Sequence, residues 1–163
     1  VAKSEAKLAI AGKAAMAPKP EEGAANEEPL WLQIARAETG QAEVPGPGSN
    51  PRILEYHATV AGQIKTDDVP WCSSFVNFCV THAGLQGTNS AAARSWLTWG
   101  KAAPTPKVGA IAVFSRGAQP AGHVGFYVGE TESFVLVLGG NQGDTVSIVR
   151  YPKDRVLGYR VPK

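Results

Sequence analysis

From Val108 to Val161 the chain reads as strand-length apolar runs, each closed by Gly, Pro or charged residues. Val108-Gly109-Ala110-Ile111-Ala112-Val113-Phe114 is a continuous apolar run of strand length. His123-Val124-Gly125-Phe126-Tyr127-Val128 follows, then a Glu-Thr-Glu-Ser turn and Phe134-Val135-Leu136-Val137-Leu138. Thr145 to Tyr151 alternates, and Val156 to Val161 supplies a fifth run. Five strands so closely spaced predict an antiparallel sheet or open barrel. The residues before them carry a different period. Leu30, Trp31, Ile34 and Ala35 make a short amphipathic helix that Gly40 stops. Asn50-Pro51 is an N-cap followed by proline at the first helical position, opening a helix to about Val60. A further short helix is expected from Thr88 or Ser90 through Trp96 to Trp99. Helices first and strands after is an α+β layout.

Between these halves lies Pro70-Trp71-Cys72-Ser73-Ser74-Phe75-Val76-Asn77-Phe78-Cys79-Val80. Pro70 suits a first helical position, and Asp67 and Asp68 put negative charge at the helix start. Phe75, Val76, Cys79 and Val80 form one buried stripe, and Gly84 is the expected C′ residue. Cys72 then falls in the first turn, where backbone N–H groups and the helix dipole lower a thiol pKa. The competing reading is a small buried hydrophobe. Cys79 is seven positions on, about 10 Å along the axis. A disulfide needs Cα atoms about 4.4–6.8 Å apart, so both thiols are expected free, with Cys79 in the core.

The whole chain has 163 residues, 44% hydrophobic and 18% charged, enough for one domain with a sizeable core. A net charge of +2 without a dense basic run argues against nucleic acid, and no apolar run approaches a membrane span. Residues 1–28 read as a flexible tail or linker, weakly helical from Ser4 to Met16, with the folded domain at 29–163. Val1-Ala2-Lys3-Ser4 carries no legible leader peptide.

A thiol nucleophile needs an imidazole and a group to orient it. His57, beside Tyr56 in a helix, is expected at the surface, and His82 lies about 15 Å along the axis from Cys72. His123 opens a strand. The next strand ends in Gly139-Gly140-Asn141-Gln142-Gly143-Asp144, which a hairpin would return to His123. Asn141 is the expected partner of the ring, with Asp144 as competitor; a plain Gly-Asn turn explains the same residues without chemistry. Cys72, Cys79 and His82 fit no tetrahedral zinc spacing, so neither metal nor cofactor is expected.

The order of helix-opening Cys, strand-opening His and polar strand end resembles the NlpC-type and CHAP cysteine peptidases of the papain-like superfamily. Pro70-Trp71-Cys72-Ser73-Ser74-Phe75-Val76, Gly109-Ala110-Ile111-Ala112-Val113-Phe114 and Gly122-His123-Val124-Gly125-Phe126-Tyr127 carry the resemblance. Asn50-Pro51-Arg52-Ile53, Ala92-Ala93-Arg94-Ser95-Trp96-Leu97, Leu138-Gly139-Gly140-Asn141-Gln142 and Leu157-Gly158-Tyr159-Arg160 are similar to a phage-associated NlpC-like subgroup. The resemblance implies N-terminal helices on a five- to six-stranded antiparallel sheet, and cleavage of an amide in the peptidoglycan stem peptide or at its muramyl junction. It implies Cys72 as nucleophile, His123 as general base and Asn141 as third member. Backbone N–H groups of Cys72 or Ser73 would meet the oxyanion. Trp71, Trp96 and Trp99 are core or, less readily, the lining of a substrate groove. The implied site of action is the cell wall or periplasm. The implied setting is phage lysis or contact-dependent export as a toxin, with an immunity protein or an upstream wall-binding module as partner. A non-catalytic wall-binding module on the same fold is the alternative.

Overall fold

The computed structural model describes residues 28–163, so the expected tail lies outside the described residues but for Glu28. Three helices come first: α1 (Leu30–Ala37), α2 (Pro51–His57) and α3 (Cys72–His82). A 3-10 turn (Ala93–Thr98) stands where the fourth helix was expected. The strands are β1 (Lys101–Ala102), β2 (Ile111–Ser115), β3 (Gly122–Glu130), β4 (Phe134–Gly139), β5 (Ser147–Pro152) and β6 (Val156–Val161). They form one six-stranded sheet in the order β1-β6-β2-β3-β4-β5, with every pairing antiparallel. The α+β expectation holds. The two-residue β1, exposed and too short to show a pattern, is the strand that alternation did not reveal.

The sheet is covered on both faces, which is why β2 reads as an unbroken apolar run. Ile111 and Val113 of β2, with Val124 and Phe126 of β3, pack under the helices against Tyr56, Trp71, Phe75 and Cys79. Ala112 and Phe114 point the other way, into a smaller cluster with Tyr127, Val137 and Tyr151. The strands thus alternate between two cores rather than between core and water.

Helix α3 runs through the middle of the molecule. All nine residues from Cys72 to Val80 are buried, so the expected single stripe is replaced by an apolar surface on every side. Its C-terminus follows the sequence closely. Gly84, at φ +88°, lets its own N–H reach Thr81 O and the Leu85 N–H reach Val80 O, a Schellman ending. Its N-terminus differs. The helix begins at Cys72 with Trp71 as N-cap, leaving Pro70 outside it. Asp67 does not cap α3 either; its buried carboxylate accepts the Val44 and Asn50 N–H groups, each at 2.8 Å, and ties down the Pro-Gly loop. Asn50 caps α2 as expected, its side chain accepting the Arg52 N–H, with Pro51 in the first turn.

Candidate active site

Cys72 is the first residue of α3 and His123 the second of β3. Both side chains are inside: Cys72 is 4% exposed and His123 0%. The two elements pack against each other. The Cys72 sulfur faces the backbone N–H of Val124, the residue after His123. Hairpin register sets the imidazole opposite Phe114 of β2, and it lies 5.1 Å from the Tyr151 ring, centroid to centroid.

The ring is oriented by Gln142. His123 Nε2 lies 2.8 Å from Gln142 Oε1. Gln142 Nε2 donates to Val137 O at 3.2 Å and Ser147 O at 2.6 Å, so the amide nitrogen is taken and its oxygen must face the ring. Tyr151 donates its hydroxyl hydrogen to the same oxygen at 3.2 Å. His123 therefore carries its hydrogen on Nε2. Nδ1 is left with a lone pair and, among the described residues, no hydrogen-bond partner.

This corrects the expectation for Asn141. It sits in the turn after β4 with a left-handed backbone, φ +59°, a conformation that asparagine tolerates better than most residues. The reversal there turns Gln142 inward, and its longer side chain reaches the ring. Asp144 is likewise left-handed, at φ +61°, and exposed. The Gly-Asn turn reading was the signal that position 141 is spent on the backbone. Close approach explains the paired glycines: a Cβ on Gly139 would meet Gln142 Oε1 at 2.7 Å, and one on Gly140 the Trp71 ring at 2.7 Å.

The groove residues suggested by sequence lie elsewhere. Trp71 and Trp96 are fully buried, their indole N–H groups donated to Glu43 Oε2 and Ser73 Oγ, each at 2.9 Å. Ser73 Oγ in turn donates to Ser90 O at 2.7 Å, so its hydroxyl is occupied, while its backbone N–H stays at the sulfur. His57 is also corrected. It is 1% exposed, not at the surface, with Nδ1 2.8 Å from Ser74 Oγ on α3.

Burial decides the protonation states. It pushes the Cys72 thiol up, against the N–H of Val124, the positive charge of Arg116 and the N–H groups of Ser73 and Cys72 itself, which pull it down. The helix-start effect is present but outweighed. Burial also pushes His123 down to about 4, against the hydrogen bond it donates to Gln142, with Arg116 and Arg155 adding to the lowering. At neutral pH the pair therefore rests as neutral thiol and neutral imidazole, with a vacant lone pair on Nδ1.

A helix-opening thiol thus lies against the backbone of the strand that carries His123, at the next residue, Val124. Residues 64–141 match the CHAP domain. The CHAP match includes Cys72 and His123 and stops one residue short of Gln142. CHAP domains are typically cysteine- and histidine-dependent amidohydrolases or peptidases, so the match supports a CHAP-type hydrolase acting on peptidoglycan. No curated protein matches the chain. Among the described residues no cluster of His, Cys, Asp or Glu could hold a metal, and no helix is long and apolar enough to cross a membrane.

Proposed function

We propose that the protein is a thiol hydrolase of the cell wall that cleaves an amide of the peptidoglycan stem peptide, with Cys72 as nucleophile, His123 as base and Gln142 orienting the ring. The observation carrying this reading is the vacant Nδ1 of a buried imidazole whose other nitrogen is held by Gln142, on a strand whose next residue, Val124, turns its N–H to the thiol at a helix start. As the scissile carbonyl arrives, the Cys72 proton passes to Nδ1 and sulfur bonds to the carbonyl carbon. The developing oxyanion meets the N–H groups at the start of α3. Collapse breaks the C–N bond, and His123 returns the proton to the leaving amine. Water, deprotonated by the same Nδ1, then hydrolyses the thioester. A neutral Gln142 holds the tautomer without stabilising an imidazolium as a carboxylate would, which suits a pair that rests uncharged.

The test is mass spectrometry of fragments released from purified sacculi by the parent, C72A and H123A. Release by the parent alone supports the reading and names the bond cut. Equal release by C72A would leave a wall-binding fold without thiol chemistry as the better account.

A further inference from the structure

Three arginines meet at the end of the β2–β3 hairpin nearest His123. Two are engaged with its backbone. Arg155 donates Nε and Nη2 to Ser115 O at 3.0 and 2.7 Å, and Arg94 donates Nε to Ala121 O at 2.9 Å. These carbonyls sit at the two stems of the loop, one on Ser115 of the last register pair and the other on Ala121, just before its partner Gly122. The third, Arg116, follows Ser115 directly and lies two positions beyond Phe114, the residue paired with His123. It is exposed, and among the described residues it makes no hydrogen bond or ion pair. Alternation along the strand puts position 116 on the side of the hairpin shared by Phe114 and His123, and its charge bears on Cys72, His123 and Tyr151. No carboxylate of the described chain forms an ion pair with any of the three arginines.

We infer that Arg116 is a carboxylate-binding residue at the mouth of the site, selecting peptides that present a free carboxylate next to the scissile amide. A guanidinium offers a planar fork of donors that matches a carboxylate two-to-two, and such charge-assisted pairs are about twice as strong as neutral ones. The hairpin stems, fixed by Arg94 and Arg155, hold that fork at the end of the hairpin that carries His123. The inference rests on the hydrolase reading for its place in a reaction, while the binding it asserts does not require turnover.

Two soluble stem peptides, identical but for free or amidated carboxyl groups, separate the cases. The parent should cleave the free-acid peptide with kcat/KM about tenfold higher, a difference typical of one partly exposed charge-assisted bond. R116Q should bring that ratio close to one, and R116K should keep part of it. Calorimetric binding of the same peptides to C72A, and to C72A carrying R116Q, should show the same preference and its loss. A parent that cleaves both peptides equally, or a preference that survives R116Q, overturns the assignment and leaves the hydrolase reading intact. Selective, Arg116-dependent binding without cleavage by the parent would uphold the assignment and remove the hydrolase reading. Neither binding nor cleavage overturns both.

Discussion

The carboxamide oxygen of Gln142 lies 2.8 Å from His123 Nε2, and two backbone carbonyls hold its nitrogen in the opposite direction. The ring is thereby locked in one tautomer and one plane. Removing the amide should release both. Q142A is expected to lower kcat by about a hundredfold, within the contribution of a positioned base, while KM changes little. It should also cost about 1–3 kcal/mol, because Val137 O, Ser147 O and the Tyr151 hydroxyl lose a buried partner. Steady-state hydrolysis of a soluble stem peptide and urea unfolding measure the two effects separately. A kcat within twofold of the parent would mean that another group orients the ring.

How this site could be read from sequence depends on the kind of interaction. The places of Cys72 at a helix start and His123 at a strand start were legible because such starts leave local marks: a Gly-closed apolar period in one case, a Gly-His step into a run of strand formers in the other. Gln142 was not, since a single left-handed residue at 141 decides which of two neighbouring amides faces inward. His57 was misplaced because its partner, Ser74, is on another helix, and a buried polar pair has no periodic signature. The same holds for Asp67, whose two acceptor contacts go to backbone N–H groups 17 and 23 positions away. The antiparallel strands, by contrast, announced themselves through close-spaced apolar runs, while their burial on both faces emerges only from the packing.

Titration of His123 makes stability depend on acid in a defined window. An imidazole in the unfolded chain titrates near 6.5, and in the folded protein His123 does so at about 4. Above 6.5 both states are neutral and the group contributes nothing. Between 6.5 and 4 the unfolded chain binds the proton and the native state does not, so stability falls as pH falls. From about pH 7 to about pH 4.5 the loss attributable to this group is about 2 kcal/mol. His57 is lowered by burial too, and acts in the same direction. Urea unfolding of the parent and H123Q at both pH values isolates the difference; equal losses in the two proteins would show that His123 is not held neutral.

Ser73 offers a separation of structure from chemistry. Its hydroxyl accepts from Trp96 and donates to Ser90 O, both inside the protein. S73A strands the Trp96 indole N–H and removes one donor from Ser90 O, which Asn77 Nδ2 still reaches at 3.3 Å, at a cost of about 2 kcal/mol. The backbone N–H at position 73 is untouched, so the oxyanion donor survives. The expected outcome is a lower urea midpoint with kcat on stem peptide within about threefold of the parent. A kcat loss of a hundredfold or more would give the hydroxyl a direct part in the reaction.

Gly140 connects packing to the site most tightly. Its backbone passes so close to α3 that an added Cβ would lie 2.7 Å from the Trp71 ring and 2.8 Å from the Phe75 Cβ. Those are the residues before and after the first turn that carries Cys72, and both are fully buried. The neighbours cannot give way cheaply, because Trp71 is also tied to Glu43 and stacked on Tyr56. The loop must therefore move instead, taking Gln142 two residues away with it. G140A is expected to cost about 1–3 kcal/mol as an overpacking change. It should also lower kcat by a factor approaching that of Q142A, because a displacement of about 1 Å in an orienting group is enough to misplace a base. Thermal unfolding and hydrolysis measured on the same preparation test the coupling. Destabilisation with kcat unchanged would separate the loop from the orientation of His123.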